Sequence, residues 1–384
     1  MIGFKNINVY TQDKGIINTD IAFLDGKITK IEDNLDVEEI KSFGENVILV
    51  PGFIDEHIHG ADGADAMDGS KEALSKIANA IVKEGTTTFL ATTMTQSPIS
   101  IKTALNAVKD YIEQNSENGA LLLGVHLEGP FISPKHIGAQ PLEYVAKGDV
   151  DVFKDYFKAS GESIKIVSLA PETEGAEELV RYLSKKGVVA SIGHSGAKYE
   201  DAYNSVKWGV SNITHTYNAQ TGIHHRDVGV VGAGLLIDEL NCELICDTIH
   251  VSVPAIKLVI KNKPHDKVTL ITDSMRAKYL PDGESELGGQ LVLVKNGEAR
   301  LENGALAGSV LKMNDAIKNL VTKAQISFTD AIDFATKNPA KNLGIYNEVG
   351  SIKEGKRADI TVLDKNTFEV LMTIRNGKVV YKNC

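Results

Sequence analysis

The sequence predicts an α/β fold, a (β/α)8 TIM-type barrel with a small β-sandwich domain that both termini build. Three observations lead there. The middle of the chain alternates short apolar runs with helical stripes. The two ends share a different texture, short strand patterns separated by tight turns. Histidines and carboxylates recur where the apolar runs of the middle end.

At the N-terminal end, Ile2–Tyr10, Gly15–Leu24 and Lys27–Glu32 read as strands, and Asp25-Gly26 is a hairpin signal. At the other end Ala358–Asp364, Phe368–Arg375 and Lys378–Tyr381 read the same way, with Asn376-Gly377 turning the last pair. Residues 1–50 and 346–384 are therefore assigned to the small domain and residues 51–345 to the barrel. The expected barrel strands are Val47–Ile54, Thr86–Thr92, Leu121–Leu127, Ile164–Leu169, Val188–Ile192, Ser211–Thr214, Cys242–Cys246 and Lys267–Thr272. Most are unbroken apolar runs, as strands buried on both faces require. Between the first two, Leu74, Ile77, Ala78, Ile81 and Val82 fall on one helical stripe that Gly85 closes. Thr173 is placed as the cap of a helix reaching Lys186, which Gly187 ends. Residues 288–303 break the rhythm and read as an inserted hairpin, Gln290–Val294 and Ala299–Leu301 around Asn296-Gly297.

Bulk properties narrow the function classes. The 384 residues are 42% hydrophobic and 24% charged, which is ordinary for a globular chain of one large domain and one small one. A net charge of −10 disfavours a nucleic-acid partner, while local cations leave room for a small phosphorylated ligand. The longest apolar runs, such as Val228–Ile237, are too short for a bilayer, so no membrane partner is expected. The chain enters strand-like alternation at once, and no leader is expected. Cys242, Cys246 and Cys384 make no disulfide framework, which points to a cytoplasmic protein with the first two as buried thiols.

In such a barrel the chemistry sits at the C-terminal ends of the strands. The first strand runs into Asp55-Glu56-His57-Ile58-His59, and residues two apart share a strand face, so the two histidines can grip one ion. Later ends read His126-Leu127-Glu128-Gly129-Pro130, Gly193-His194-Ser195, Thr214-His215, Asp247-Thr248-Ile249-His250 and Thr272-Asp273-Ser274. Taken singly, Glu128 is a salt-bridge partner, Asp273 a cap, and each histidine a satisfied polar contact. Taken together, this much buried charge is costly without a cation. Nitrogen and oxygen donors without thiolates suit Zn, Fe, Mn or Co as divalent ions. His136, His224, His225 and His265 read as loop or surface residues. His126 shares a face with Glu128 and either supports the ligands or packs as a neutral ring. A divalent ion lowers the pKa of bound water from about 16 to about 7. A neighbouring carboxylate can take the proton and return it to a leaving group, which is the role expected of Asp273. Amide hydrolysis, cyclic-amide hydrolysis and deamination all fit at this point.

The motifs carry a resemblance. Pro51-Gly52-Phe53-Ile54-Asp55-x-His57-x-His59 resembles the opening motif of the amidohydrolase superfamily, and Gly355-x-x-Ala358-Asp359-Ile360-Thr361-Val362-Leu363-Asp364 its closing motif. His126-Leu127-Glu128-Gly129-Pro130-Phe131, Gly193-His194-Ser195, Thr214-His215-x-Tyr217-Asn218-Ala219, Asp247-x-x-His250 and Leu306-Ala307-Gly308-Ser309 are similar to the N-acetylglucosamine-6-phosphate deacetylase family. The match runs over essentially the whole chain. It implies hydrolysis of N-acetyl-D-glucosamine 6-phosphate to D-glucosamine 6-phosphate and acetate in amino-sugar catabolism. It implies one or two ions per subunit. Glu128, His194 and His215 would hold the principal ion, and His57 and His59 a second, with Glu128 shared. It implies Asp273 as general acid and base. It implies substrate contacts from Ala139, Gln140, Asn218, Ala219, Asp247, Leu306, Ala307 and Gly308, with Arg226 and His250 suited to the phosphate. It also implies a homodimer whose phosphate contacts cross the subunit boundary.

One position departs from the pattern. Some members place a histidine twelve residues beyond the metal-binding glutamate, where this chain has Gln140. Glutamine donates a neutral hydrogen bond, so a second ion is the expected replacement electrophile. Dihydroorotases, hydantoinases and adenine deaminases are the nearer alternatives, but many of those bridge their ions with a carboxylated lysine where Glu128 stands here. A barrel that had lost its chemistry should lack ligands, and none is missing.

Overall fold

The computed structural model describes residues 1–40, 46–114 and 116–383, so the expectation for Cys384 lies outside the described residues. The N-terminal strands are β1 (Ile2–Thr11), β2 (Gly15–Leu24), β3 (Lys27–Ile31) and β4 (Val47–Pro51). The barrel strands follow: β5 (Phe53–Ile58), β6 (Thr86–Thr92), β7 (Leu121–Glu128) and β8 (Ile164–Leu169), then β9 (Val189–Ile192), β10 (Val210–Ile213), β11 (Asn241–Ile245) and β12 (Val268–Ile271). An insert contributes β13 (Gly283–Leu287), β14 (Gln290–Lys295) and β15 (Glu298–Leu301), and the C-terminal strands are β16 (Ile360–Asp364), β17 (Val370–Arg375) and β18 (Lys378–Lys382).

The eight barrel strands run in the order β5 to β12, and every pair along that path is parallel. The two ends of the path are joined by the Asp55 side chain and by backbone hydrogen bonds just beyond it. Asp55 on β5 accepts from Thr272 Oγ1 at 2.5 Å and from Thr272 N at 3.3 Å, just past β12. One residue further, Asp273 N donates to His57 O at 2.8 Å. The seam of the barrel is thus closed beside two expected functional residues.

The helix Lys71–Ile81 follows its sequence pattern. Ser70 caps it by accepting from Ala73 N, and Leu74, Ile77, Ala78 and Ile81 are buried against the barrel in one cluster with Phe89 and Val125. Each fully buried Leu or Ile contributes about 1.5–3 kcal/mol. One 3₁₀ turn later Gly85, at φ 87°, stops the element.

The small domain is one mixed sheet in the order β18-β17-β16-β4-β1-β2-β3, with Glu38–Glu39 added alongside β1. The sheet rolls upon itself: Ala358 N donates to Gly26 O, and Ile28 of β3 shares a core cluster with Ile374 of β17.

Three local expectations are corrected. Val47–Ile54 is two strands, not one, because β4 pairs with β1 and β16 whereas β5 pairs with β6. The break is at Gly52, where an added Cβ would lie 2.3 Å from Thr87 Oγ1. The helix ending at Lys186 begins at Ala176 after Gly175, and Thr173 Oγ1 instead donates to Ala170 O at 2.7 Å. The chain at Gly175, φ 77°, presses on Gly148 so closely that a Cβ would meet Gly148 O at 2.0 Å. The insert is three-stranded, starting at Gly283, because the polar strand Glu284-Ser285-Glu286 pairs with β14 across Gly288-Gly289. Cys242 and Cys246 are buried free thiols.

Candidate active site

The ligand-type side chains converge on one rim. Glu128 ends β7, His57 lies in β5 and His59 follows it. His194 and His215 stand two residues past β9 and β10, and Asp273 two past β12. His194, His215 and Asp273 all adopt left-handed backbone, at φ 50°, 30° and 49°. Non-glycine residues hold that conformation at a cost of about 1–3 kcal/mol each, and such strain gathers at functional sites.

Glu128 is the hub. Its Oε1 lies 3.0 Å from His215 Nε2, 3.1 Å from His194 Nε2 and 3.5 Å from His57 Nε2, and its Oε2 is 3.4 Å from His59 Nε2. Asp273 Oδ1 stands 3.2 Å from His59 Nε2 and 3.5 Å from His57 Nε2. All six side chains are nearly or fully buried. Two ligand trios result, Glu128–His194–His215 and Glu128–His57–His59, sharing the carboxylate.

The donor chemistry fits a divalent ion in each trio. The ring Nδ1–H of His194 donates to His136 O at 3.0 Å, and that of His59 to Thr92 O at 3.2 Å. A carbonyl can only accept, so Nδ1 carries the proton in each ring and Nε2 is the atom turned into the site, where it would serve as the metal donor. His194 Nε2 and His215 Nε2 face each other at 3.2 Å, close to the edge of a tetrahedron built on zinc–nitrogen bonds of about 2.0–2.1 Å. His57 Nε2 is buried with no hydrogen-bond partner. A cation relieves all of these at once.

Charge in the pocket follows from these contacts. Burial raises the Glu128 carboxyl, but His57, His194, His215 and His59 outweigh it and hold it well below the usual carboxylate range. Burial likewise raises Asp273, and His57 and His59 bring it down to about 2. Asp273 is thus ionised at neutral pH, as a proton acceptor must be. His126 packs 4.5 Å from the His57 ring, with Nδ1 at 3.0 Å from Glu56 O and Nε2 at 2.7 Å from Ser168 Oγ. Burial and His57 hold it well below the ordinary histidine range, so it is a neutral packed ring.

A cavity of about 280 Å³ opens over the rim, near the lower end of small-molecule sites. Ala139, Gln140, Asn218, Ala219, His250, Leu306 and Gly308 line it, together with His59, Glu128, His194, His215 and Asp273, while His57 lies buried behind them. Three residues expected to touch substrate do not line it. Asp247 stands behind His250, its Oδ2 2.6 Å from His250 Nδ1. Ala307 is fully buried beneath the insert, among Met94, Met275 and Leu287. Arg226 is exposed on a loop, its Nη1 2.7 Å from His225 Nε2. Gln140 points its amide nitrogen at Glu128 Oε2, 2.7 Å away. The sequence reading missed Met94 and Leu287, which complete the apolar wall, and Glu243, which lies 3.2 Å from His57 Nδ1.

The sequence profile of the amidohydrolase family matches residues 48–380. The chain belongs to the amidohydrolase family. It is 42% identical over 383 residues to an N-acetylglucosamine-6-phosphate deacetylase of Bacillus subtilis (strain 168), covering 98% of this chain and 96% of that one. It is 36% identical over 317 residues to an N-acetylgalactosamine-6-phosphate deacetylase of Escherichia coli O157:H7, covering 83% and 84%. The crystal structure of N-acetylglucosamine-6-phosphate deacetylase from Thermotoga maritima superposes with a TM-score of 0.89 at 37% identity, over 99% of this chain and 100% of that chain. Within this amidohydrolase, Glu128 occupies the bridging position between the two trios.

Proposed function

We propose that this amidohydrolase removes the acetyl group of N-acetylglucosamine 6-phosphate, yielding glucosamine 6-phosphate and acetate in amino-sugar catabolism. The observation that carries the reading is the convergence of Glu128, His59, His194, His215 and Asp273 on the floor of a monosaccharide-sized cavity, with His57 packed directly beneath. The likeness to the Bacillus subtilis enzyme supports the choice of substrate.

Glu128, His194 and His215 would hold one divalent ion, and Glu128, His57 and His59 a second, drawn from Zn, Fe, Mn or Co. Bound there, such ions supply Lewis acidity and an acidified water. The protein's own groups do the rest. Asp273 accepts a proton from the attacking water as the C–O bond forms. It then hands that proton to the amide nitrogen as the C–N bond breaks, so that the amine leaves neutral together with acetic acid, which loses its proton to solvent to give acetate. Asp247 holds the His250 ring at the cavity wall, where the Nε2 edge can meet a sugar phosphate. Asn218 offers hydrogen bonds to sugar hydroxyls, while Met94, Leu287 and Leu306 exclude water.

Arg226 lies outside its own cavity, and we assign it to the neighbouring cavity of a homodimer, where its guanidinium would bind the phosphate. Among the described residues no helix is long and apolar enough to cross a membrane. The two buried free thiols support a reducing, cytoplasmic setting.

Acetate release from a substrate panel tests the reading. The expected result is turnover of N-acetylglucosamine 6-phosphate at a kcat/KM at least about a hundredfold above that of the unphosphorylated sugar. Preference for the galactosamine epimer would redirect the substrate assignment. Turnover of a cyclic amide with no acetate released would overturn it.

A further inference from the structure

We infer that Gln140 is a positioning residue that sets how Glu128 is shared between the two histidine pairs. The inference rests on the metal-binding reading above and goes beyond it by assigning the control of the second site.

Gln140 is 4% exposed and held at both ends. Its backbone N–H donates to Ile137 O at 2.8 Å, and its side-chain Oε1 accepts from Thr95 N at 2.7 Å. That backbone donor decides which way the amide faces, because only oxygen can accept it. Nε2 is then left pointing at Glu128, and it donates to Oε2 at 2.7 Å. Thr95 itself follows the end of β6, so the amide is braced by the barrel wall.

The consequence falls on one carboxylate oxygen. Glu128 Oε1 faces His194 and His215, at 3.1 and 3.0 Å, with His57 Nε2 farther off at 3.5 Å. Oε2 faces only Gln140 and His59, at 2.7 and 3.4 Å. The terminal torsion of a glutamate is soft, so nothing intrinsic to the side chain keeps Oε2 on the His59 side. A charge-assisted hydrogen bond from a fixed amide does. The amide is also a permanent donor: it has no proton to lose across the working pH range. Gln140 therefore keeps Oε2 on the His59 side, where an ion held by His57 and His59 would find it, and leaves Oε1 to His194 and His215.

Zinc binding to the purified full-length protein tests this, read out independently of turnover. Wild type, Gln140→Leu and Gln140→Ser are stripped, titrated with Zn²⁺ against a chromophoric chelator and checked by mass spectrometry for zinc per chain. Thermal melting of the stripped proteins confirms that each variant is folded. The expected result is two zinc ions on wild type and a second-ion affinity at least tenfold weaker in both variants, with the first unchanged. Unchanged affinities, equal weakening of both ions, or a single ion on wild type would each overturn the inference. Acetate release is measured separately, so a mistaken substrate leaves the ion count untouched and a mistaken role for Gln140 leaves the substrate reading standing.

Discussion

Glu243 Oε2 lies 3.2 Å from His57 Nδ1, and the same oxygen accepts the backbone N–H of His215 at 3.2 Å. One fully buried carboxylate thus orients a ligand from each trio. It fixes the His57 ring with Nε2 toward the cavity. Burial pushes Glu243 up to about 8 against the pull of His215, and cations in the trios would favour its ionised form. Carboxylates that orient metal-bound histidines are typically worth about 10–100-fold in metal affinity. Glu243→Gln should therefore weaken metal binding by about that factor in a chelator competition. An unchanged affinity would contradict the role.

Asp273→Asn keeps the shape of the side chain and removes its ability to take a proton. General acid–base groups supply about 10²–10⁴-fold, so kcat should fall by at least that much with KM little changed. Steady-state kinetics with saturating metal decides it. Retained turnover would remove Asp273 from the mechanism.

Lys278 and Glu84 form a fully buried ion pair, Nζ to Oε1 at 2.6 Å, and Tyr279 donates its hydroxyl to the other carboxylate oxygen at 3.0 Å. Breaking one half leaves a lone buried charge. Lys278→Met should destabilise the fold by about 3–5 kcal/mol, and adding Glu84→Leu should recover a large part of that. Denaturant unfolding of the single and double variants is the check, and an additive loss would contradict it.

His265 sits between Asp333 and Asp330, each 3.6 Å from a ring nitrogen, and the Asp333 carboxylate raises its pKa despite partial burial. A histidine raised on folding contributes stability in full below its unfolded value of about 6.5, and that contribution is lost as pH climbs through the raised value. The melting temperature of wild type should exceed that of His265→Asn most below about pH 6.5, and the gap should close as pH rises through the raised value. A gap independent of pH would show that the ring acts by packing alone.

Much of this architecture is legible in the chain because buried parallel strands are apolar runs that end abruptly in polar residues. His57, Glu128, His194, His215 and Asp273 stand out for that reason. The break at Gly52 does not, because Val47–Pro51 and Phe53–Ile58 are equally buried and differ only in the sheet they join. The strand Gly283–Leu287 is hidden by its polar side chains, which pair at the exposed edge of the insert. Glu243 had a signal, a single charge inside the strand Asn241–Ile245, whose other residues are all uncharged. Met94 and Leu287 had none, since an apolar residue that lines a cavity reads like one that fills a core. That Arg226 stands outside the cavity of its own chain is a matter of loop path, which no periodicity reveals.

The central claim is that Glu128 and its histidines hold divalent ions on which amide cleavage depends. The direct measurement is acetate release from N-acetylglucosamine 6-phosphate by one protein sample before chelation, after it, and after return of a single divalent metal. Stripping should abolish nearly all turnover, and activity should return in proportion to the metal bound per chain. Full turnover by the stripped protein would contradict it.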